Sequence, residues 1–299
     1  MKLLITGAWH YTSEQLKQIQ AMGHSIVLMQ NEKDELPCAY DAVEGVICNG
    51  LFLHHSIEKF TRLRYIQLTS AGFDRVPMDY VQKKGIAIYN ARGVYSIPMA
   101  EFAISGVLQL YKQARYFHKN QSEAVWEKHR ELLELFGKTI CIVGCGSVGT
   151  ECAKRFQAFG CEVTGVDLYP REDSAYEKIY SLVKLDIGLS QADVVVLTLP
   201  LTEETKGIIN AQRLSVMKKD SVLVNIARGA VVDEVALLNA LDLNLMGAVL
   251  DVFEEEPLSK DNPLWQKENV IITPHNSFIG NGNAERIYKV IKGNLLGVR

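Results

Sequence analysis

The sequence predicts an α/β fold with two doubly wound parallel sheets. Short β-branched runs alternate with helical patterns over residues 2–90, and a second alternating series begins near residue 139. Such alternation is typical of βαβ units. The chain has 299 residues, which is more than one compact domain usually contains. We therefore expect two domains, each built on its own parallel sheet.

Taken in order, the elements repeat the same unit. The strand-like runs of the first series are LLIT, SIVLM, GVICNG, YIQLT and IAIYN. From Ser96 to residue 121, apolar residues recur on a helical period and predict one long helix, with Pro98 in the first turn, where a missing amide donor costs little. The second series comprises TICIVG, EVTGVD, VVVLTL, SVLVNI, GAVLDVF and VIIT, and the tail from Asn283 is helical in pattern.

Composition excludes several classes of protein. Hydrophobic residues make up 47% and charged residues 22%, which is ordinary for a soluble globular chain and too apolar for disorder. The net charge of -3 favours neither nucleic acid nor an anionic membrane as a partner. No apolar run reaches the roughly 18 residues of a membrane span, and the first apolar run suits a strand better than a signal peptide. We expect a cytoplasmic protein.

The six cysteines contain no C-x-x-C pair. Three of them lie within or beside apparent core elements, so reduced and buried thiols are the expected state. His54 and His55 are adjacent in sequence, and neighbouring side chains diverge too much to share a metal easily. We expect no metal site.

A glycine-rich loop follows the first strand of the second series. Gly144 suits a tight turn, Gly146 lets the backbone approach a pyrophosphate, and Gly149 allows close packing of helix and strand. A turn that merely needs glycine is the alternative interpretation. Asp167 ends the next strand, 18 residues beyond Gly149, where an acid can accept a ribose 2′-hydroxyl. Its charge favours NAD over NADP, although Arg171 lies nearby.

Three polar groups follow consecutive strand-like runs of the second series. Arg228 comes after SVLVNI, Glu256 after GAVLDVF and His275 after VIIT. Each alone would be read as a surface charge or a loop histidine. Ligands of open parallel sheets bind outside the carboxyl ends of the strands, so all three could converge there. A histidine can donate a proton, a carboxylate stabilises the imidazolium, and a guanidinium can hold a substrate carboxylate.

Linked motifs carry a family resemblance over nearly the whole chain. They are QLTSAGFD, CGSVG with Asp167, LPLTEET, NIARGAVVDEVAL, GAVLDVFEEEPL and ITPH. In this order and at these spacings they resemble the NAD-dependent D-isomer-specific 2-hydroxyacid dehydrogenases. The resemblance implies a Rossmann-type cofactor domain, residues 98–276, inserted into a flavodoxin-like substrate domain formed by residues 1–97 and 277–299.

The resemblance also implies a role for individual residues. Arg228 matches the substrate-binding arginine, Glu256 the acid paired with the catalytic histidine, and His275 that histidine. The positions that match cofactor contacts are Gly144, Gly146, Ser147, Val148, Gly149, Asp167, Pro200, Thr205, Ala227 and Asp251, the last of these at the nicotinamide carboxamide. The positions whose backbone amides match the receivers of the substrate carboxylate are Asn49, Gly50, Ala71 and Gly72.

The function that the resemblance implies is reduction of a small 2-oxo acid to the D-2-hydroxy acid with NADH. An NADH-sensing corepressor on the same scaffold is the alternative, because such binding proteins can keep the three polar residues. The run NSFIGNGN after His275 departs from the family pattern, which leaves the identity of the acid open. The resemblance further implies a homodimer, formed by the helix after Ser96 and the arm around Trp126.

Overall fold

The computed structural model describes residues 1–297 and divides the chain into two compact units. One unit combines Met1–Tyr95 with Gly280–Arg299, and the other is Ser96–Ile279. The sequence placed the two junctions at 97/98 and 276/277, which is two to three residues from these positions. The predicted α/β class with two doubly wound parallel sheets is confirmed.

The discontinuous unit contains a five-stranded parallel sheet in the order β2-β1-β3-β4-β5. Its strands are β1 Lys2–Thr6, β2 Ser25–Met29, β3 Gly45–Cys48, β4 Tyr65–Leu68 and β5 Ala87–Tyr89. Its helices are α1 Ser13–Ala21, α2 Met78–Lys84 and α9 Asn283–Gly297, the last predicted from the tail. The strand order is that of flavodoxin-like folds.

Alternation along β1 builds a core on both faces of this sheet. Leu4 packs with Val46 and Ile66 on one face, where α2 contributes Val81. Leu3 and Ile5 point to the other face, where residues of α9 such as Ile291 join them. The carboxyl-terminal helix is therefore part of the same core as the first strand.

The continuous unit contains a seven-stranded parallel sheet in the order β12-β11-β10-β9-β6-β7-β8. Its strands are β6 Thr139–Val143, β7 Glu162–Asp167, β8 Lys178–Ser181, β9 Val194–Leu197, β10 Ser221–Asn225, β11 Leu245–Leu250 and β12 Val270–Ile272. Its helices are α3 Ser96–Tyr111, α4 Ala114–Ser122, α5 Ser147–Ala158, α6 Leu185–Gln191, α7 Ala211–Val216 and α8 Glu234–Leu243. This is the Rossmann order with a seventh strand at one edge.

The single long helix predicted from Ser96 to residue 121 is wrong in one respect. The helix ends at Tyr111 and a second begins at Ala114, because Gln113 adopts a left-handed backbone with a φ of 52°. No glycine or proline marks this break in the sequence. The buried face of α3 packs against α5 and the sheet, and the break redirects the chain after it.

Candidate active site

The predicted catalytic residues follow three neighbouring strands. β10, β11 and β12 are parallel and adjacent, with Asn225 paired to Leu250 and Leu250 paired to Ile272. Their carboxyl ends therefore lie level at one edge of the sheet. The loops that leave this edge carry Arg228, Glu256 and His275, so the strand pairing brings these loops together.

His275 and Glu256 form a hydrogen-bonded pair. Nδ1 of the imidazole lies 2.8 Å from Oε2 of the carboxylate, and the two side chains are 41% and 37% exposed. The other oxygen, Oε1, accepts the backbone amide of Phe253 at 3.1 Å. Because both carboxylate oxygens are held, Glu256 is oriented toward the imidazole. Nδ1 then carries the shared hydrogen, and Nε2 is left for chemistry.

The backbone of His275 is unusual. Its φ of 51° lies in the left-handed region, which non-glycine residues rarely adopt. Its amide donates to the carbonyl of Asp251 at 2.8 Å. Strain of this kind persists where the surrounding structure enforces it, which is typical of functional positions.

Asp251 organises the loop that carries His275. The residue is completely buried, and its Oδ1 accepts both the hydroxyl of Thr273 and the amide of Asn276 at 2.7 Å, while Oδ2 accepts the amide of Ser277 at 3.0 Å. Sequence reasoning missed this role, which the position of an aspartate directly after a buried strand could have suggested. Its assignment to the nicotinamide carboxamide stays a prediction.

Arg228 projects from a turn that Asn225 holds. The Asn225 side chain donates to the Arg228 carbonyl at 3.0 Å and accepts the Ala227 amide at 3.1 Å. A Cβ added to Gly229 would lie 1.8 Å from the carbonyl carbon of Phe253, so the arginine turn lies directly against the loop of Glu256. The guanidinium is exposed, donates to the Ala227 carbonyl at 2.7 Å, and forms no ion pair among residues 1–297.

The three glycines of the loop after β6 meet different surroundings. A Cβ on Gly149 would lie 2.2 Å from the Gly144 carbonyl oxygen, and Gly144 itself has a φ of +100° with the Leu199 amide 2.5 Å from its Cβ position. Both glycines are therefore required by the protein. Gly146 is not, because its φ of −75° suits any residue and an added Cβ would have no atom of residues 1–297 within 4 Å.

The free space at Gly146 lies at the start of α5. No side chain among residues 1–297 caps this helix, so the amides of its first turn, at Ser147, Val148 and Gly149, stay available to an anion. Asp167 closes the loop from the next strand, because its Oδ2 accepts the Cys145 amide at 2.7 Å. An open glycine, an uncapped helix terminus and a strand-end carboxylate together fit a dinucleotide.

Two further predicted cofactor contacts have a different environment. Thr205 is 1% exposed, and its hydroxyl donates to the Pro200 carbonyl and accepts the Thr202 amide, both at 2.7 Å. The hydroxyl thus shapes the loop after β9. Ala227 is 5% exposed within the arginine turn. Direct contact of Pro200, Thr205 and Ala227 with a cofactor stays a prediction.

The substrate-carboxylate amides predicted in the discontinuous unit fall into two groups. The amides of Ala71 and Gly72 donate to no acceptor among residues 1–297. Those of Asn49 and Gly50 both donate to the carboxylate of Glu32, at 2.7 and 2.6 Å. The structure therefore corrects the expectation that Asn49 and Gly50 present free amides. Glu32 follows β2, which is separated from β3 by β1, so no local pattern indicated this contact.

Three buried thiols of the continuous unit are unreactive at neutral pH. Burial raises the pKa of the Cys141, Cys145 and Cys152 thiols to about 12, which keeps them protonated at neutral pH.

The part of the chain that the structure describes contains no group of three or more potential metal ligands. Among residues 1–297, none of the helices has both the length and the apolar character that a membrane crossing requires.

A family model for the D-isomer specific 2-hydroxyacid dehydrogenase NAD binding domain matches residues 104–277. This match covers the glycine loop and all three strand-end residues. The chain belongs to this family. The chain is similar to a D-3-phosphoglycerate dehydrogenase of Methanocaldococcus jannaschii, with 33% identity over 99% of this chain. A glyoxylate reductase of Korarchaeum cryptofilum is 33% identical over 81% of this chain.

This chain spans 58% of the length of the phosphoglycerate dehydrogenase and 75% of the glyoxylate reductase. Solved structures match more evenly. A D-isomer specific 2-hydroxyacid dehydrogenase family protein of Aeromonas salmonicida shows 30% identity and a TM-score of 0.82, covering 98% of this chain and 94% of that one. A D-lactate dehydrogenase of Aquifex aeolicus, complexed with NAD and lactic acid, shows 29% identity and a TM-score of 0.76, covering 99% and 96%.

Proposed function

We propose that this protein catalyses the NAD-dependent interconversion of a small 2-oxo acid and its D-2-hydroxy acid. The observation that carries the proposal is the His275–Glu256 pair, held at 2.8 Å on the same sheet edge as the dinucleotide-type glycine loop. Family membership supports the proposal, because one of the two relatives named above is a dehydrogenase and the other is a reductase.

His275 is the proposed proton donor for reduction. Glu256 accepts the Nδ1 hydrogen and stabilises the imidazolium, so the proton on Nε2 is the one transferred to the carbonyl oxygen. The reduced nicotinamide, when bound, supplies the hydride that adds to the carbonyl carbon. The hydride and the proton together convert the carbonyl to a hydroxyl group, and oxidised NAD⁺ and a neutral imidazole remain. In the oxidative direction His275 takes the proton back.

Arg228 is the proposed anchor for the substrate carboxylate. Its guanidinium is exposed and lacks an acidic partner among residues 1–297, and a planar guanidinium can hold a carboxylate through two parallel hydrogen bonds. The Asn225 hydrogen bonds that fix its turn would limit the entropy lost on binding. In the discontinuous unit, the amides of Ala71 and Gly72, which donate to no acceptor among residues 1–297, are proposed to bind a carboxylate as well.

NAD is the proposed cofactor in preference to NADP. The Asp167 carboxylate would repel a 2′-phosphate but can accept ribose hydroxyls. Arg171, the neighbouring cation, donates to the Cys145 carbonyl and lies 3.3 Å from Asp173, so its charge is already engaged. Both observations favour the unphosphorylated ribose.

A homodimer and a cytoplasmic location are predictions that accompany this function. Trp126 is 99% exposed and Phe136 is 76% exposed, and both lie in the irregular segment after α4. Exposed aromatic side chains of this size are typical of interface residues. They support a contact formed by this arm.

A panel of 2-oxo acids tests the proposed function. The purified protein is mixed with NADH or NADPH and with glyoxylate, pyruvate, hydroxypyruvate or a branched 2-oxo acid, and loss of NADH absorbance is followed. We expect turnover of at least one acid, faster with NADH. Tight NADH binding without turnover of any acid would contradict an enzyme and favour the corepressor-like alternative. Faster turnover with NADPH would contradict the cofactor preference alone.

A further inference from the structure

We propose that Glu32 is a specificity-determining residue that fills an anion site with its own carboxylate. The inference rests on the proposed function and names its substrate class. Substrates carry one carboxylate and an uncharged remainder, because a second anionic group finds the Asn49–Gly50 amides already taken.

The contacts of Glu32 are those of a bound carboxylate. Oε1 accepts the Asn49 amide and the Thr6 hydroxyl, each at 2.7 Å, and Oε2 accepts the Gly50 amide at 2.6 Å. Two successive amides that hold the two oxygens of one carboxyl group form an anion-binding concavity. Charge-assisted bonds of this length are among the stronger hydrogen bonds in proteins.

The loop after β4 shows the opposite arrangement. The Ala71 carbonyl accepts from the side chain of Asn90 at 2.6 Å, and the Gly72 carbonyl accepts from the hydroxyl of Ser70 at 3.1 Å. These bonds fix the peptide planes of the loop, yet its two amides donate to no acceptor among residues 1–297. The amides of Ala71 and Gly72 are therefore available to an anion, whereas those of Asn49 and Gly50 are occupied by the carboxylate of Glu32.

Within residues 1–297, the Glu32 carboxylate is held by hydrogen bonds and not by an ion pair. Among residues 1–297 neither lysine nor arginine forms an ion pair with it. Arg75 comes close, with its Cδ 3.8 Å from the position of a Cβ on Gly50, but it makes no such pair. A phosphate or second carboxylate at this loop would meet a like charge in addition to occupied donors. Both effects disfavour doubly anionic substrates.

The first experiment compares Glu32→Ala with Glu35→Ala. Glu35 is exposed and makes no hydrogen bond or ion pair among residues 1–297, so its variant removes a charge from the same segment without touching the amides. The readout is the ratio of kcat/KM for oxaloacetate, which has two carboxylates, to kcat/KM for pyruvate. We expect Glu32→Ala to raise this ratio about tenfold or more, since relief of like-charge contact is a large effect. Glu35→Ala should leave it unchanged.

Glu32→Gln guards against loss of folding in the alanine variant. It keeps one oxygen to accept an amide and removes the charge, so the ratio should rise in the same direction. An unchanged ratio in folded Glu32→Ala or Glu32→Gln protein that still reduces pyruvate would overturn the proposal.

A second measurement does not depend on activity. Acetate is added to the full-length protein, and the change in Tm is recorded for wild type, Glu32→Ala and Glu35→Ala. Acetate that binds the vacated amides stabilises the folded state by mass action, so Tm should rise more in Glu32→Ala than in wild type or Glu35→Ala, where acetate can bind only at the groups proposed for the substrate carboxylate. An equal response of all three proteins, or none in Glu32→Ala, would overturn the internal-anion assignment. If wild type reduces no acid, the proposed function fails and the acetate response still decides this proposal.

Discussion

The carboxyl-terminal edges of the two sheets are built alike but satisfy their polar groups differently. Along the seven-stranded sheet, the guanidinium of Arg228 has no acidic partner among residues 1–297 and donates to the Ala227 carbonyl. Within the same residues, the first-turn amides after Gly146 have no side-chain cap, and Nε2 of His275 has no partner. Along the five-stranded sheet, Glu32 ties Thr6, Asn49 and Gly50 together. Hydrogen-bond donors without an internal acceptor can bind a ligand reversibly, whereas donors that are paired within the chain stabilise the fold and are not available to a ligand.

This comparison explains where the cost of a substitution should appear. A residue whose polar group is left open contributes to binding or turnover and little to the free energy of unfolding. A residue whose polar group is paired within the chain contributes mainly to the free energy of unfolding.

The largest effect is expected for His275→Ala. Loss of a positioned proton donor should lower kcat by about 10²- to 10⁴-fold. The affinity for NADH, measured by fluorescence titration, should change little, because the imidazole is not among the predicted cofactor contacts. Arg228→Ala serves as the companion variant and should raise KM as well as lower kcat. Full activity in His275→Ala would remove this residue from the proposed mechanism.

A second test compares two glycines of the loop after β6, Gly146 and Gly149. Gly146→Ala should leave the free energy of unfolding unchanged or slightly higher, because the added Cβ meets nothing within 4 Å. It should weaken NADH binding about tenfold or more, because the methyl group would occupy space kept for the pyrophosphate. Gly149→Ala is the matched control and should instead destabilise the protein by about 1–3 kcal/mol, since its Cβ would lie 2.2 Å from the Gly144 oxygen.

Urea denaturation with NADH titration measures both quantities for each variant. A lower free energy of unfolding for Gly146→Ala, with unchanged NADH affinity, would contradict the prediction that the space at Gly146 is kept for the cofactor.

The smallest effect on activity is expected at the closed edge, for Thr6→Val. The change removes a buried hydroxyl that donates to Glu32 at 2.7 Å while keeping the shape of the side chain. A hydrogen bond to a charged group contributes about 1.5–3 kcal/mol, so the free energy of unfolding should fall by an amount in this range. The kcat for pyruvate should stay near that of wild type. A large loss of kcat without loss of stability would place Thr6 in the site instead.

Strand patterns predicted most of the fold. Every predicted strand-like run corresponds to a strand of the structure, because runs of β-branched residues fit the interior of parallel sheets. The exception is β8, Lys178–Ser181, which the sequence did not reveal. It is an edge strand of four residues, KIYS, with a lysine and a serine at its ends, so it is too short and too polar to stand out as a strand-like run. The break at Gln113 was equally hidden, since it lacks a glycine or proline.

The sequence by itself determined the α/β class, the glycine loop and the order of polar residues after successive strands, because periodicity and turn chemistry are local properties. Only the tertiary structure decided which of those residues meet. Strand order brings Glu256 to His275 across 19 positions of the chain and Glu32 to Asn49 across 17. Side-chain contacts between separate strand ends depend on sheet order and register, and neither can be predicted from a single segment of the sequence.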